Sequence, residues 1–188
     1  MVKSNVSMMN PYIMSDTHLY HERCRFFCNR PDDVDNKMTK NMIAIPENSV
    51  FIHLGDYSWN PGLSYENILK HMKCKKILVR GNHDKHTNSW FLRHGWDFVC
   101  EQFKDEYYGK KILFSHKPQK WDEWYDYNLH GHFHNLPPER WELDLTAIYT
   151  DRHVLISPEL TGYKPISLNS IVSILTKEER ENENQKDH

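Results

Sequence analysis

Clusters of aspartate, asparagine and histidine recur along the sequence, and each follows a short apolar run. Asp16 and His18 come shortly after the run PYIM, Asp56 follows VFIHL, and His116 follows KKILF. Turns favour glycine, asparagine and aspartate, but they have no need of repeated histidine. Imidazole nitrogen together with carboxylate and amide oxygen is instead a ligand set for divalent transition metals. The pattern is therefore hard to explain as a series of turns, and metal binding is one interpretation of it.

The densest cluster is LHGHFH at residues 129–134, in a chain that has 13 histidines in all. A metal site, a pH switch and a chance grouping are all interpretations of this segment. On an extended strand, His130, His132 and His134 would point to the same side. A second cluster, Asn82-His83-Asp84, follows the apolar run KKILVR.

Composition restricts the class of protein. The 188 residues suit one domain, and the formal net charge of −2 gives no long-range attraction for nucleic acid. The four cysteines complete no zinc-finger spacing, so we interpret them as reduced structural thiols. Neither a signal-peptide core nor a run of about 20 apolar residues is recognised, which leads us to expect a cytoplasmic protein without a membrane partner.

The elements that must position these residues alternate along the chain. The apolar runs are short and rich in Val, Ile, Leu and Phe, as buried strands are. Helices are predicted between them over residues 32–44, 64–73 and 167–176. Strands alternating with helices favour an α/β layered fold. Ligands of such folds bind outside the carboxyl ends of the strands, where the polar clusters lie.

Two further segments are predicted from the same patterns. Residues 99–108, VCEQFKDEYY, are predicted to form one strand that ends in a turn at Tyr108-Gly109-Lys110. We expect a single domain over residues 1–176. The charged, apolar-poor residues 177–188 predict a tail without ordered structure.

The clusters, in this order, strongly resemble the motifs of the calcineurin-like metallophosphoesterase superfamily, in particular its small single-domain type from bacteria and their phages. The matching motifs are Asp16-Thr17-His18, Gly55-Asp56, Gly81-Asn82-His83-Asp84, His116 and Gly131-His132-Phe133-His134. One departure is visible in the second motif. Many members have Gly-Asp-x-x-Asp there, whereas this chain has Trp59 at the last position.

The resemblance implies a fold and a metal centre. The fold would be a four-layer αββα sandwich, in which two packed mixed β-sheets are flanked by helices. Two divalent metal ions, of the Mn, Fe, Zn, Co or Ni type, would be bridged by a carboxylate and a hydroxide. The implied ligands are Asp16, His18 and His134 for one ion, Asn82, His116 and His132 for the other, and Asp56 as the bridge.

The resemblance also implies catalytic roles. His83 would lie near the leaving-group oxygen as a general acid, and Asp84 would hold its imidazole in the required tautomer. His21, Arg30 and Arg80 are weaker candidates for substrate binding, because a solvated side chain or a structural ion pair explains each equally well. His130 lies outside the motif and is predicted either to belong to the strand core or to contact the ligands without binding metal itself.

The function expected from this site is metal-dependent hydrolysis of a phosphomonoester or phosphodiester, with a small phosphorylated molecule or nucleotide as substrate. A nuclease or nucleotide phosphodiesterase is one alternative, although the near-neutral charge disfavours a nucleic-acid partner. A non-catalytic scaffold is a second, yet every implied ligand is present. A histidine-based metal store or pH sensor is a third, and it does not explain the ordered aspartate and asparagine.

Overall fold

The computed structural model describes residues 10–186, with side chains described through residue 179 and at residue 181. In this part of the chain, the strands are β1 (Pro11–Met14), β2 (Val50–His53), β3 (Lys75–Val79), β4 (Phe98–Cys100), β5 (Gln102–Tyr107), β6 (Lys110–Ser115), β7 (Tyr127–His130), β8 (His153–Leu155) and β9 (Ile166–Ser167). The α-helices are α1 (Glu22–Phe27), α2 (Val34–Ile43), α3 (Pro61–Ser64), α4 (Asn88–Arg93), α5 (Leu143–Thr146) and α6 (Leu168–Lys186). A π-helical turn (Tyr65–Leu69) follows α3, and a 3₁₀ turn (Pro138–Arg140) precedes α5.

The first sheet has the strand order β4-β3-β2-β1-β9, with β1 to β4 parallel and β9 antiparallel at the edge. Its central strands are the predicted apolar runs. Parallel strands are covered on both faces, so they read as continuous apolar segments. Because these strands are parallel, the carboxyl ends of β1, β2 and β3 lie at the same edge of this sheet.

The second sheet has the order β5-β6-β7-β8, with β6, β7 and β8 parallel and β5 antiparallel. Tyr108 and Gly109 connect β5 to β6 with positive φ angles of 53° and 75°, as the tight hairpin turn that suits a twisted strand pair requires. The predicted turn at these residues is confirmed. The carboxyl ends of β6 and β7 lie beside those of the first sheet.

The two sheets pack face to face through one apolar cluster. It joins the first sheet, the second sheet and α6, and its fully buried members are Ile13, Ile52, Leu54, Val79, Ile112, Phe114, Leu129 and Leu168. On the opposite face of the first sheet, α2 contributes Met38 and Met42 to a second cluster. The outer face of the second sheet is covered by the segment around α5, where Tyr149 packs on His130. The predicted sandwich of two mixed sheets flanked by helices is confirmed.

The structure divides the predicted strand over residues 99–108 between the two sheets. Cys100 pairs with Val79 in the first sheet, whereas Gln102 pairs with Ser115 in the second. The single-strand prediction is therefore wrong. Both halves are extended, so the local pattern contains no sign that the chain changes sheet at Glu101.

The predicted helices differ from the observed ones at their ends. The helix expected to begin at Ser64 begins at Pro61, because the Asn60 side chain accepts the Leu63 amide and proline suits the first helical position. The sequence predicts an unstructured tail from residue 177, whereas α6 continues through Lys186. Residues 187–188 lie outside the described part.

Candidate metal centre

The candidate site lies at the carboxyl ends of five strands from both sheets. Asp16 and His18 follow β1, Asp56 follows β2, Asn82 and His83 follow β3, His116 follows β6, and His132 and His134 follow β7. The structure brings all seven predicted metal ligands together at this edge. Five of them have backbone angles in the left-handed region, at Asp16 (φ 48°), His18 (44°), Asp56 (56°), His132 (75°) and His134 (51°). Such conformations are strained for non-glycine residues and cluster at functional sites.

The motif glycines permit backbones to approach the carboxylates closely. A Cβ atom added at Gly131 would overlap the Ser15 hydroxyl and the Asp16 carboxylate, and one added at Gly81 would overlap Asp56. Because glycine stands at position 131, the amide of His132 can donate to Asp16 Oδ2 at 2.9 Å. β7 ends at His130, so the segment is not one extended strand, and His132 and His134 lie in the loop that follows it.

Asp56 lies at the centre of the site. Its Oδ2 atom is 3.5 Å from His18 Nε2 and 3.4 Å from His116 Nε2. Its other oxygen accepts the backbone amide of His83 at 2.7 Å. The side chain is nearly inaccessible to solvent, at 3% exposed. One carboxylate oxygen therefore faces imidazoles from the two sheets, an arrangement compatible with a ligand shared by two ions.

The second-sheet half of the site has a fixed histidine tautomer. His116 Nδ1 donates to the Leu54 carbonyl at 2.8 Å, so in the neutral ring the lone pair is on Nε2. That nitrogen lies 3.0 Å from Asn82 Oδ1 and 3.3 Å from His132 Nδ1. When His116 is neutral, these lone pairs converge without a proton to share, and either a proton or a bound cation would stabilise the arrangement.

The first-sheet half contains a buried oxygen with no partner. Asp16 is fully buried, and its Oδ1 atom makes no hydrogen bond among the described residues. His134 Nε2 lies 3.7 Å from that atom, and the rings of His134 and His18 stack at 5.1 Å between centroids. One ligand atom each from Asp16, His18 and Asp56 can be chosen within 4.8 Å of one another. These residues fit a divalent ion.

Charge in the site is concentrated on these groups. Burial acts to lower the pKa of His116, but the hydrogen bond to Asp56 and the charges of Asp16 and Asp56 raise it to about 9. Burial likewise acts to lower the pKa of His134, which Asp16, Cys28 and Glu159 raise to about 10. Both shifts reflect a strong demand for positive charge beside the carboxylates.

His83 lies at the open side of the cluster. Its side chain is 44% exposed, and its Nε2 atom is 4.0 Å from Asp56 Oδ2. The prediction that Asp84 orients this imidazole is corrected by the structure. The buried Asp84 carboxylate instead accepts the backbone amides of Gly81, Asp56 and Tyr57 at 2.8, 2.8 and 3.2 Å. Asp84 thus stabilises the loops that carry the ligands.

Arg30 is not available to hold a phosphate. Its guanidinium pairs with Glu159 at 2.7 Å and donates to the carbonyls of Thr17 and Asp16, each at 2.7 Å. A fourth contact joins it to His134 Nδ1 at 3.3 Å. The structure therefore favours the structural alternative for this residue. Arg30 ties the loop after β1 to the segment after β8.

Arg80 and His21 separate into different roles. Arg80 donates to Glu101 at 3.0 Å and to the Asp84 carbonyl at 2.8 Å, which makes it a structural ion pair. His21 lies beside the candidate ligands, with its ring centroid 5.6 Å from that of His18, and it stacks on Trp59. Of the three weak candidates, His21 is the one that lines the open space shared by His18, His83 and His134.

Several neighbours of the site were not predicted from the sequence. The Sγ atoms of Cys24 and Cys28 lie 3.9 Å apart, next to His134. The hydrogen bond with Cys24 and the contact with His134, against the effect of burial, lower the pKa of Cys28. Glu142 accepts from His132 Nε2 at 3.0 Å. The four-residue cysteine spacing was a usable signal for a shared helix face, but not for its target.

Two mixed sheets with strand-end aspartates and histidines define a metallophosphoesterase-type fold and site. The sequence matches the calcineurin-like phosphoesterase family over residues 9–159, and the chain belongs to this family. The resemblance seen in the motifs is therefore confirmed. Within the described residues, no helix has both the length and the apolar character needed to cross a bilayer.

Relatives of similar length are known from other organisms. An uncharacterized protein of Methanocaldococcus jannaschii is 28% identical over 92% of this chain and 94% of its own. A protein of unknown function from Aquifex aeolicus has a solved structure that superposes with a TM-score of 0.70 at 26% identity, covering 88% of this chain and 99% of that one. An archaeal phosphodiesterase superposes with a TM-score of 0.47 at 22% identity over 80% of this chain and 83% of its own, a similarity too low to indicate a substrate.

Proposed function

We propose that the chain is a dinuclear-metal-dependent phosphoesterase that hydrolyses a phosphomonoester or a phosphodiester of a small molecule. The observation that supports it most directly is the surroundings of Asp56 Oδ2, which lies 3.4 and 3.5 Å from histidine nitrogens of the two sheets. The proton of His116 is held on the far side of its ring by the Leu54 carbonyl. The remaining lone pairs suit cations on either side of Asp56.

We assign the ligands in two groups. Asp16, His18 and His134 would hold one ion, Asn82, His116 and His132 would hold the other, and Asp56 would contribute to both groups. The mixture of imidazole, carboxylate and amide favours Mn, Fe, Zn, Co or Ni over a calcium ion. Two such ions, when bound, would neutralise the phosphate and activate a water for in-line attack.

The chain's own residues supply positioning and a proton. His83 is the exposed imidazole at the edge of the cluster, so it can reach an oxygen that leaves toward solvent. We assign it the role of general acid for that oxygen. Asp84 keeps the His83 turn in place by accepting three backbone amides. Arg30 keeps the Asp16 loop in place by donating to the carbonyls of Asp16 and Thr17.

The metal assignment is tested with Asp56→Ala. Wild-type protein loaded with Mn²⁺ should retain about two ions per chain, and the variant should lose both, because Asp56 contributes to each group. Elemental analysis after desalting measures the content, and Asp151→Ala, at an exposed turn, is the matched control. Two fully occupied ions in Asp56→Ala would contradict the bridging role.

The activity is tested on chromogenic esters. With Mn²⁺ the protein should hydrolyse 4-nitrophenyl phosphate, bis(4-nitrophenyl) phosphate or both, and an excess of chelator should abolish the turnover. The two esters separate monoesterase from diesterase. Metal binding without turnover of these esters, cyclic nucleotides or short oligonucleotides would favour the scaffold alternative. Full activity in excess chelator would refute the metal mechanism.

A further inference from the structure

A cavity of about 470 Å³ opens directly beside the candidate metal centre. The histidines of the cluster, His18, His83 and His134, form one wall. Phe27 and Trp59 contribute apolar surface to the same cavity. The volume falls in the range of small-molecule sites, which combine apolar walls with a few placed polar groups. A ligand whose phosphate lies at the histidines would extend over the apolar part.

Trp59 is presented as a flat platform in this cavity. Its ring stacks on His21 with centroids 4.3 Å apart and an interplanar angle of 3°. The residue is nevertheless 62% exposed, so most of the indole outside that contact is open. Its backbone amide donates to the Leu19 carbonyl at 3.0 Å, which fixes the loop that carries the ring. The platform is thus formed before any ligand arrives.

The apolar side chains around the cavity are more exposed than core residues would be. Phe26 and Phe27 are 83% and 77% exposed, and Phe27 lines the same cavity as Trp59. Apolar surface of this kind beside a polar site is typical of ligand binding. Arg23 and Arg140 also line the cavity, and neither forms an ion pair within residues 10–186 where side chains are described. They are available to polar groups of a ligand.

We propose that this cavity binds the base of a nucleoside phosphate, stacked on Trp59, while the phosphate lies at the metal centre. This proposal rests on the proposed function and names its substrate class. His21, beneath Trp59, lies 5.6 Å from His18 and 6.5 Å from His83 between ring centroids. The platform therefore begins one ring away from the phosphate position, which leaves space for a ribose.

An aromatic occupant explains the platform better than an aliphatic one. Every base has a π-face, and stacking on an aromatic side chain strengthens binding by roughly tenfold or more. Planar guanidinium groups such as Arg23 and Arg140 can also contact base edges and ring faces.

The test compares substrates that differ only in the base. With Mn²⁺, kcat/KM is measured for adenosine 5′-monophosphate, ribose 5-phosphate and hexyl phosphate, and for the methyl esters of the first two if the protein is a diesterase. Adenosine compounds should be favoured over ribose compounds by roughly tenfold. Trp59→Ala should bring that ratio close to one, and Trp59→Phe should retain most of it. Trp124→Ala, whose ring packs against Lys104, is the matched control and should keep the full ratio.

Three results would overturn the base subsite. They are a wild-type ratio near one, an unchanged ratio in Trp59→Ala, and a gain for hexyl phosphate equal to that of the nucleotide.

If no ester is hydrolysed, the proposed function fails, and calorimetric titration of the Mn²⁺-loaded protein decides the subsite separately. Adenosine 5′-monophosphate should then bind more tightly than ribose 5-phosphate to wild type but not to Trp59→Ala. Equal affinities in wild type would refute the proposal.

Discussion

Arg30→Met should destabilise the fold far more than a surface arginine change. Both charges of the Arg30–Glu159 pair are buried, with side-chain exposures of 2% and 6%, and their atoms are 2.7 Å apart. Removing the guanidinium leaves the buried Glu159 with only a 3.8 Å contact to His134 Nδ1, and it deprives the Asp16 and Thr17 carbonyls of donors. Breaking a buried ion pair from one side costs about 3–5 kcal/mol in the free energy of unfolding.

The assay is urea denaturation in excess chelator, so that metal binding does not add to the measured stability. With an m value of about 2 kcal/mol per molar urea, the midpoint should fall by roughly 2 M. Arg25→Met is the control, because the Arg25–Asp32 contact is exposed and 3.8 Å long, and it should change stability by less than about 0.5 kcal/mol. A loss in Arg30→Met no larger than in Arg25→Met would refute the reasoning.

Two further substitutions examine the site itself. His83→Ala should keep its metal content but lower kcat by about 10²- to 10⁴-fold on an alkyl phosphate. The loss should be smaller on a nitrophenyl ester, because that leaving group needs little protonation. Equal losses on both esters would argue against an acid role. Gly131→Ala forces a methyl group against Ser15 and Asp16, so it should cost about 1–3 kcal/mol in unfolding free energy and weaken Mn²⁺ binding by roughly tenfold or more. Denaturation and metal titration measure both effects, with Gly62→Ala as the control because its added Cβ meets only Asn60 Oδ1, at 3.9 Å. Unchanged Mn²⁺ affinity in Gly131→Ala would contradict the close-approach argument.

The parallel core and the position of the site were predictable because they depend on local pattern. Strands that are buried on both faces must be continuously apolar, so β1, β2 and β3 were visible as runs. Polar residues placed directly after such runs must lie at the carboxyl edge of a sheet. The order of the motifs then indicated the candidate ligands and the family, although no interatomic distance was known.

Side-chain partners depend on the tertiary structure, because they join residues that are far apart in the chain. Nothing near Arg30 indicates Glu159, which lies 129 positions away and captures the guanidinium that was a candidate phosphate ligand. Nothing near Asp84 indicates that three amides will occupy its carboxylate. A buried charged side chain bonds to the partner that the fold brings within hydrogen-bond distance. That distance is fixed by the tertiary structure and not by the neighbouring sequence.

The same dependence on distant contacts explains why the candidate ligands were predictable from the sequence and the residues around them were not. The sequence by itself determined which residue types could bind metal, because spacing after a strand is a local property. Only the tertiary structure decided that Trp59 stacks on His21 and that Phe27 lines the same cavity. The chain's passage between sheets at Glu101 was likewise decided by pairing with Val79 and Ser115, since an extended segment has the same local pattern in either sheet.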